Sequence, residues 1–392
     1  MSADPFVLIC WLLAGCWFLL TAGRLLDLRS VIALPVLDTQ DGDDRRPKVT
    51  AVVTARNEEP RIEQTVRGLR DQRGVDLRIV VVDDRSTDST PEILQRLADG
   101  EPRIEIVRVS ELPSNWLGKP HACHLGARKA GGGWILFTDG DVRIGPDVIA
   151  RAVTQAGRQG ADHVCLLPGE ERTTAAVRAA LINFVLAMTI FAARANRDRR
   201  FSFIGVGAFN LVRAEAYRAI GGHDPLRLEV IDDLKLGWLL RRAGFRSRLF
   251  VAARDVEVRW APTVPDLVRA LEKNLFALVG FSLPGALLLF LALGGLMGLT
   301  TAAILAGGPQ GAAVAAGAAS MLLPARIVAR RAGWGWPESL LSPLASPLLL
   351  VALAWSSIVT LVRGGVSWRG TLYPLELLRR GHVRFRRPGR KP

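Results

Sequence analysis

The sequence predicts an α/β fold, with helices packed on a mostly parallel sheet, flanked by transmembrane helices at both ends. Three observations predict it. From residue 48 onward, short β-rich apolar runs alternate with helical stretches, the pattern of parallel strands joined by crossover helices. Those runs end in acidic or polar clusters. Long stretches almost free of charge lie outside this region, one before it and three after it, and they have the length and apolarity of bilayer-crossing segments.

The elements follow in order. Residues 6–26, FVLICWLLAGCWFLLTAGRLL, form a transmembrane anchor within residues 1–30. No basic stretch precedes it and no small-residue cleavage site follows, so an anchor is expected rather than a cleaved leader. KVTAVVT (48–54) is the first strand and runs into ARNEEP. QTVRGLRDQ has helical character, and LRIVVVDDRSTDST is a second strand ending in Asp83-Asp84. RIEIVRV is a third strand, HACHLGARKAG a helix, and WILFTDGD a fourth strand that meets Asp139-Gly140-Asp141. The α/β domain is expected over residues 45–275, a transmembrane region over 276–363 and a basic cytoplasmic tail over 364–392. Within the transmembrane region the apolar stretches are 281–306, 311–328 and 340–362. Residues 178–200, RAALINFVLAMTIFAARANRDRR, carry an apolar run too short to span, with basic residues after it. This suits a helix at the bilayer interface, or an ordinary buried helix.

Charge sets the orientation. Arg24 and Arg29 close the first apolar segment, so the α/β domain is expected in the cytoplasm of a multi-pass plasma-membrane protein. The basic tail belongs on the same side, yet three C-terminal spans would leave it outside. Pro343 and Pro347 make the last stretch a candidate for a broken helix. The net charge of +14 from 51 Lys and Arg against 37 Asp and Glu points to anionic partners. Nucleic acid is not expected, because no zinc-finger spacing, RNP-like motif or soluble basic helix is present. Four scattered cysteines form no disulfide framework. His121, Cys123 and His124 lack a second ligand pair at zinc spacing.

In parallel sheets ligands bind at the carboxyl ends of strands. Arg56-Asn57-Glu58, Asp83-Asp84 and Asp139-Gly140-Asp141 all fall at such ends. Asp139 and Asp141 could form a turn, or hold a hard cation such as Mg2+, which takes one or two carboxylates and completes its shell with water and phosphates. Neither G-x-G-x-x-G nor a P-loop is present, so phosphates need another holder, and a metal on this pair fits. Lys119 either adds positive charge there or is a solvated lysine. Glycines 205, 207, 221 and 222 suggest tight turns or close backbone approach. Asp232-Asp233 precedes a periodic helix and supplies either an N-cap or a general base.

VVTARNEE, VVVDDRSTDST, GKPHACHLGARKA, FTDGD, GAFNLVRAEAYRAIGG and IDD, in this order, resemble membrane-bound family 2 glycosyltransferases of the GT-A fold. The resemblance covers roughly residues 48–280. VIDDLKLGWLLRRAGFR and LEKNLFALVGF are similar to the subgroup acting on isoprenoid lipids such as carotenoids and hopanoids. The resemblance implies a nucleotide-sugar donor, UDP-sugars foremost, a lipid acceptor, and Mg2+ or Mn2+ as cofactor. It implies that Arg56, Asn57 and Glu58 line the nucleotide pocket and that Asp83 or Asp84 contacts base or ribose. Asp139 and Asp141 match the D-x-D metal ligands. Asp233 matches the second acid of the E-D motif, the base of an inverting transfer, with Asp232 in place of Glu. The Q-x-x-R-W motif of processive members is incomplete: Arg259-Trp260 follows Val256-Glu257-Val258, so transfer of a single sugar is expected. Rivals are a polyprenyl-phosphate or polysaccharide-forming family 2 enzyme, a nucleotidyltransferase, and a non-catalytic scaffold or transporter. ARNEEP lacks the Gly-rich basic loop of a nucleotidyltransferase, and the C-terminal spans show almost none of a transporter's ionisable residues.

Overall fold

A computed structural model describes residues 4–36, 46–199 and 202–385. The last seven residues of the expected tail and Arg200 of the expected interfacial segment lie outside the described residues. The chain divides into two compact units. One comprises residues 32–172, 194–260 and 364–392; the other comprises 1–31, 173–193 and 261–363.

The first unit contains every strand among the described residues. In chain order these are β1 (Lys48–Ala55), β2 (Asp76–Asp84), β3 (Ile104–Val109), β4 (Trp134–Asp139), β5 (Arg143–Ile144), β6 (His163–Leu167), β7 (Gly169–Glu170), β8 (Asn210–Arg213), β9 (Ser247–Val251), β10 (Val256–Val258), β11 (Gly365–Trp368) and β12 (Thr371–Pro374). The main sheet has the order β3-β2-β1-β4-β8-β6-β9. Only β8 runs against its neighbours β4 and β6; the other pairs are parallel. The expected mostly parallel α/β sheet is therefore present.

The strand sequences explain the layering. In β1, Val49, Ala51 and Val53 belong to one apolar layer, and Val52 to the layer on the opposite face. Period-two alternation with both faces apolar is what a sheet covered on both sides requires. Ile79 to Val82 in β2 are fully buried for the same reason. The helix Ile62–Arg70 buries Ile62, Val66 and Leu69, one stripe at helical spacing. Register brings Ala55 opposite Asp83, and Thr54 opposite Asp139, so the three strand ends form one rim. Two smaller sheets, β5-β10-β7 and β11-β12, complete the unit. Residues 364–374, expected as the start of a tail, form this last hairpin. Apolar Val366 and Tyr373 are buried, which a free tail could not offer them.

The second unit is helical. Among the described residues, five helices are long and apolar enough to cross a membrane: Pro5–Ser30, Ala175–Asn196, Leu283–Ala306, Gly308–Arg331 and Trp336–Val362. Two expectations need correction. The apolar run within residues 178–200 was expected to be too short to span, but the helix starts at Ala175 and runs for 22 residues, long and apolar enough to cross, because Ala175, Ala176 and Val177 extend it before Arg178. The last stretch is one continuous helix despite Pro343 and Pro347. The break falls in the middle stretch, at Met321 between Gly308–Ser320 and Leu322–Arg331. Cys10, Leu13, Ala14, Ala303 and Val314 pack Pro5–Ser30 against two of the C-terminal helices. Gly317 lies close to the Ala14 backbone, as small residues allow between apolar helices.

Candidate active site

The loop after β1 is tied to the loop after β2. Asn57, at φ +54°, receives the Thr87 amide on its side-chain oxygen at 2.8 Å. Its own amide donates to Ser86 Oγ at 3.0 Å. Asn is among the few residues that adopt this left-handed conformation readily. Asp83 and Asp84 are both buried. Asp83 Oδ1 accepts the Ser86 amide at 3.3 Å. Asp84 receives Arg85 Nε and Nη2 at 2.8 and 3.0 Å, with Arg56 Nη1 at 4.0 Å. The Arg85 pKa rises, mainly through its hydrogen bond to Asp84. Glu58 is buried, and its amide donates to Thr90 Oγ1 at 2.9 Å.

Beyond the end of β4, three charged groups converge. Lys119, in the first turn of the helix Gly118–Arg128, places Nζ 2.5 Å from Asp139 Oδ1. A β-carbon at Gly207 would lie 2.8 Å from Asp139 Oδ2, 3.0 Å from Lys119 Nζ and 3.6 Å from Asp233 Oδ2. Only glycine leaves room for all three. Gly205 backs this arrangement, because a side chain there would collide with the Asp233 carbonyl. Burial would lower the Lys119 pKa, but Asp139, Asp232 and Asp233 together raise it well above its ordinary value. The ammonium stays charged.

The two acids of the expected E-D motif separate. Both lie in the first turn of the helix Asp232–Arg242 and the cap position is Ile231, so neither is the N-cap. Asp232 is buried, 3.8 Å from His223 Nε2, and His223 Nδ1 is 2.7 Å from the Tyr217 hydroxyl. Asp233 is the acid that reaches the Gly207 cluster. Its Oδ1 accepts the Leu234 amide at 2.8 Å. Burial and then the Asp232 charge raise its pKa. Burial and then Asp139 raise that of Asp141. His121 and His124 pack on Trp116 at 5.4 and 5.0 Å. Cys123 instead lies with His223 and Asp232, and burial keeps its thiol protonated.

Residues 50–221 match the family described as Glycosyl transferase family 2. The chain carries a family 2 glycosyltransferase domain. Succinoglycan biosynthesis protein ExoO of Rhizobium meliloti is 33% identical over 118 residues, 30% of this chain and 32% of that protein. The 4,4'-diaponeurosporenoate glycosyltransferase of Staphylococcus haemolyticus is 29% identical over 108 residues, 28% of each chain. The match thus spans about a third of each relative's length. A mannosyltransferase from Pyrobaculum calidifontis, solved with GDP-Man and Mn2+, superposes with a TM-score of 0.58 at 20% identity. It covers 90% of this chain and 99% of that one. The family 2 domain is GT-A-like, as the sequence implied.

The residues around the site of the glycosyltransferase domain extend past the matched stretch. Asp233 lies beyond residue 221, and so does the β11–β12 hairpin. Arg369 pairs with Glu58. Thr371 Oγ1 accepts Arg56 Nη1 at 3.3 Å, and the Tyr373 hydroxyl accepts the Gly118 amide at 3.2 Å. Farther along, Val383 carbonyl accepts the buried Lys235 ammonium at 2.5 Å, joining this segment to the helix that carries Asp233. The sequence reading missed these residues by treating 364–392 as a basic tail. The available signal was VSWRGTLY: two short β-rich runs around Arg369-Gly370. Both turn residues have positive φ, +49° and +77°, as a two-residue hairpin turn requires.

Proposed function

We propose that the chain is an inverting, metal-dependent glycosyltransferase that moves one sugar from a nucleotide-diphosphate donor to a hydroxyl of a membrane lipid. Its main support is the convergence of Asp139, Lys119 and Asp233 on Gly207. Asp139 and Asp141 would hold Mg2+ or Mn2+; carboxylate oxygens suit such hard cations, and an ammonium already lies against Asp139. A cation there, when bound, neutralises charge growing on the leaving diphosphate. Asp83, Asp84, Arg56 and Asn57 form the nucleotide end of the site. The acceptor oxygen bonds to the anomeric carbon as its bond to the diphosphate breaks. That electron pair leaves with the diphosphate, and the hydroxyl proton passes to Asp233. The raised pKa makes Asp233 a stronger base than an ordinary carboxylate, and such help is worth about 10²–10⁴-fold. One displacement inverts the anomeric centre.

A lipid acceptor accords with the five apolar helices and with the likeness to the Staphylococcus 4,4'-diaponeurosporenoate glycosyltransferase. Connectivity constrains how these helices meet a bilayer. Strands β6 and β8 are hydrogen-bonded, and Ala175–Asn196 lies between them in sequence. A full crossing would part paired strands, so this helix lies along the interface. Residues 32–172 and 364–392 likewise share one unit, so residues 261–363 cross an even number of times. In our reading, Leu283–Ala306 crosses outward and Gly308–Arg331 returns. Arg331 donates to the Leu28 and Val31 carbonyls at 3.0 and 2.6 Å, at the end of the anchor that carries Arg24 and Arg29, the cytoplasmic end by charge. Trp336–Val362 then begins and ends on that side. Its exposed Trp336, Leu340, Leu344, Val351, Trp355, Ile358 and Val362 make one stripe, opposite buried Glu338, Ser339, Ser342, Ser356, Ser357 and Thr360, the division expected of an interfacial helix. On this reading the basic C-terminal segment is inside, with an odd total of three crossings.

The test is to incubate purified protein with a panel of nucleotide sugars, UDP-sugars first, and extracted membrane lipid, reading nucleotide-diphosphate release and new glycolipids by mass spectrometry. A water-soluble oligosaccharide, or a lipid bearing a long homopolymer, overturns the single-sugar lipid reading. A polyprenyl-phosphate acceptor is the nearest alternative. Its phosphate is already ionised, so Asp233→Asn would then keep much of the rate.

A further inference from the structure

Arg369 stands at the tip of the β11–β12 hairpin. Its Nη1 donates to the Arg56 carbonyl at 3.3 Å, and its Nη2 pairs with the Glu58 carboxylate. The two partners are unlike: the Glu58 side chain is 10% exposed and that of Arg369 is 48% exposed. Glu58 stands against the middle of Asp139-Gly140-Asp141, since a β-carbon at Gly140 would lie 3.2 Å from Glu58 Cγ. Burial, with Asp141 and Asp139 adding to it and Arg369 opposing, pushes the Glu58 pKa up to about 7. Arg369 also opposes the rise in the Asp141 pKa, so it bears on two neighbouring carboxylates while about half of its side chain is exposed. Lys119 is taken up by Asp139, and Arg85 by Asp84, both of them partly buried pairs, whereas Arg369 approaches the rim from the exposed hairpin tip.

An ion pair whose arginine is half-exposed and can be solvated contributes little to stability. Holding Glu58 in place is thus a weak reason for a hairpin to present arginine from a turn residue at φ +49°. A planar guanidinium with five donors suits the forked oxygens of phosphates. We propose that Arg369 binds the diphosphate of the nucleotide donor, exchanging the Glu58 carboxylate for phosphate oxygens, so that the C-terminal hairpin is part of the donor site. This rests on the glycosyltransferase reading. It assigns to residues 364–374 a substrate-binding role outside the stretch that matches the family.

The test compares nucleotide affinities of the full chain in detergent with Mn2+ present, by calorimetry. The probes are UDP and GDP against UMP and GMP. Arg369→Gln is expected to weaken diphosphate binding about 10- to 100-fold, the range of a lost charge-assisted hydrogen bond, while leaving monophosphate binding within about twofold. Arg369→Lys should recover part of the loss. An Arg369→Gln chain with an unchanged ratio of diphosphate to monophosphate affinity overturns the assignment. So does equal loss of both, which marks a structural role. A wild-type chain that binds none of the four nucleotides overturns both this assignment and the glycosyltransferase reading.

Discussion

Replacing Gly207 by alanine separates the site from the fold. The new methyl carbon would stand 2.8 Å from Asp139 Oδ2 and 3.0 Å from Lys119 Nζ, well inside carbon–oxygen and carbon–nitrogen contact distances. Something must shift by several tenths of an ångström. The atoms met are the far ends of two side chains, so they move and the backbone does not. The stability cost is then at the low end of overpacking, about 1 kcal/mol. Catalysis is less forgiving, because displacement of reacting groups by about 1 Å costs about 10²-fold. In Gly207→Ala, a shift of about half that size should cost about tenfold in kcat/KM, with a nearly unchanged melting temperature. Gly205→Ala makes the contrast: its methyl would meet the Asp233 backbone carbonyl, which cannot swing away, so it should lower the melting temperature as well. Diphosphate release and thermal melts on the same preparations check both. A Gly207→Ala enzyme within threefold of wild type would refute the convergence of Asp139, Lys119 and Asp233 as the catalytic arrangement.

Asp139→Asn and Asp141→Asn should abolish turnover and metal-dependent nucleotide binding with the fold intact by circular dichroism; full activity of both in excess chelator would sink the metal assignment. Asp233→Asn should lose kcat with little change in donor Kd, and an unaffected Asp233→Asn beside a dead Asp232→Asn would mean that the other acid is the base. The base must be ionised, and its pKa is raised by burial and by Asp232, so activity should fall on acidification at a pH above the ordinary carboxylate value of about 3.9. Removing the neighbouring charge in Asp232→Asn should move that limb to lower pH; a limb that stays put in the pH–rate profile argues against Asp233. In a cysteine-free background, a cysteine at Gln310 should react with an impermeant reagent from outside whole cells, and one at Gly364 should not. Labelling of Gly364→Cys from outside would remove the proposed even number of crossings.

The sequence by itself determined the sheet, because β1, β2 and β4 are apolar runs too regular to be anything else, and parallel pairing puts all their carboxyl ends on one rim. It also determined the acids on that rim, since Asp83, Asp84, Asp139 and Asp141 are placed by strand length alone. Tertiary structure decided what each of them faces. Adjacent Asp232 and Asp233 are equivalent in sequence, and only the approach of Gly205 and Gly207 turns one toward Asp139 while the other meets His223. The role of Lys119 was open for the same reason: a lysine is solvated or paired according to what lies opposite, and Asp139 is 20 residues away. The hairpin at Arg369 was invisible as part of the site because its partners Glu58, Arg56 and Gly118 lie more than 250 residues earlier. Local pattern encodes periodicity and strand ends, whereas contacts across such separations exist only once the sheet has formed and the hairpin has packed beside it.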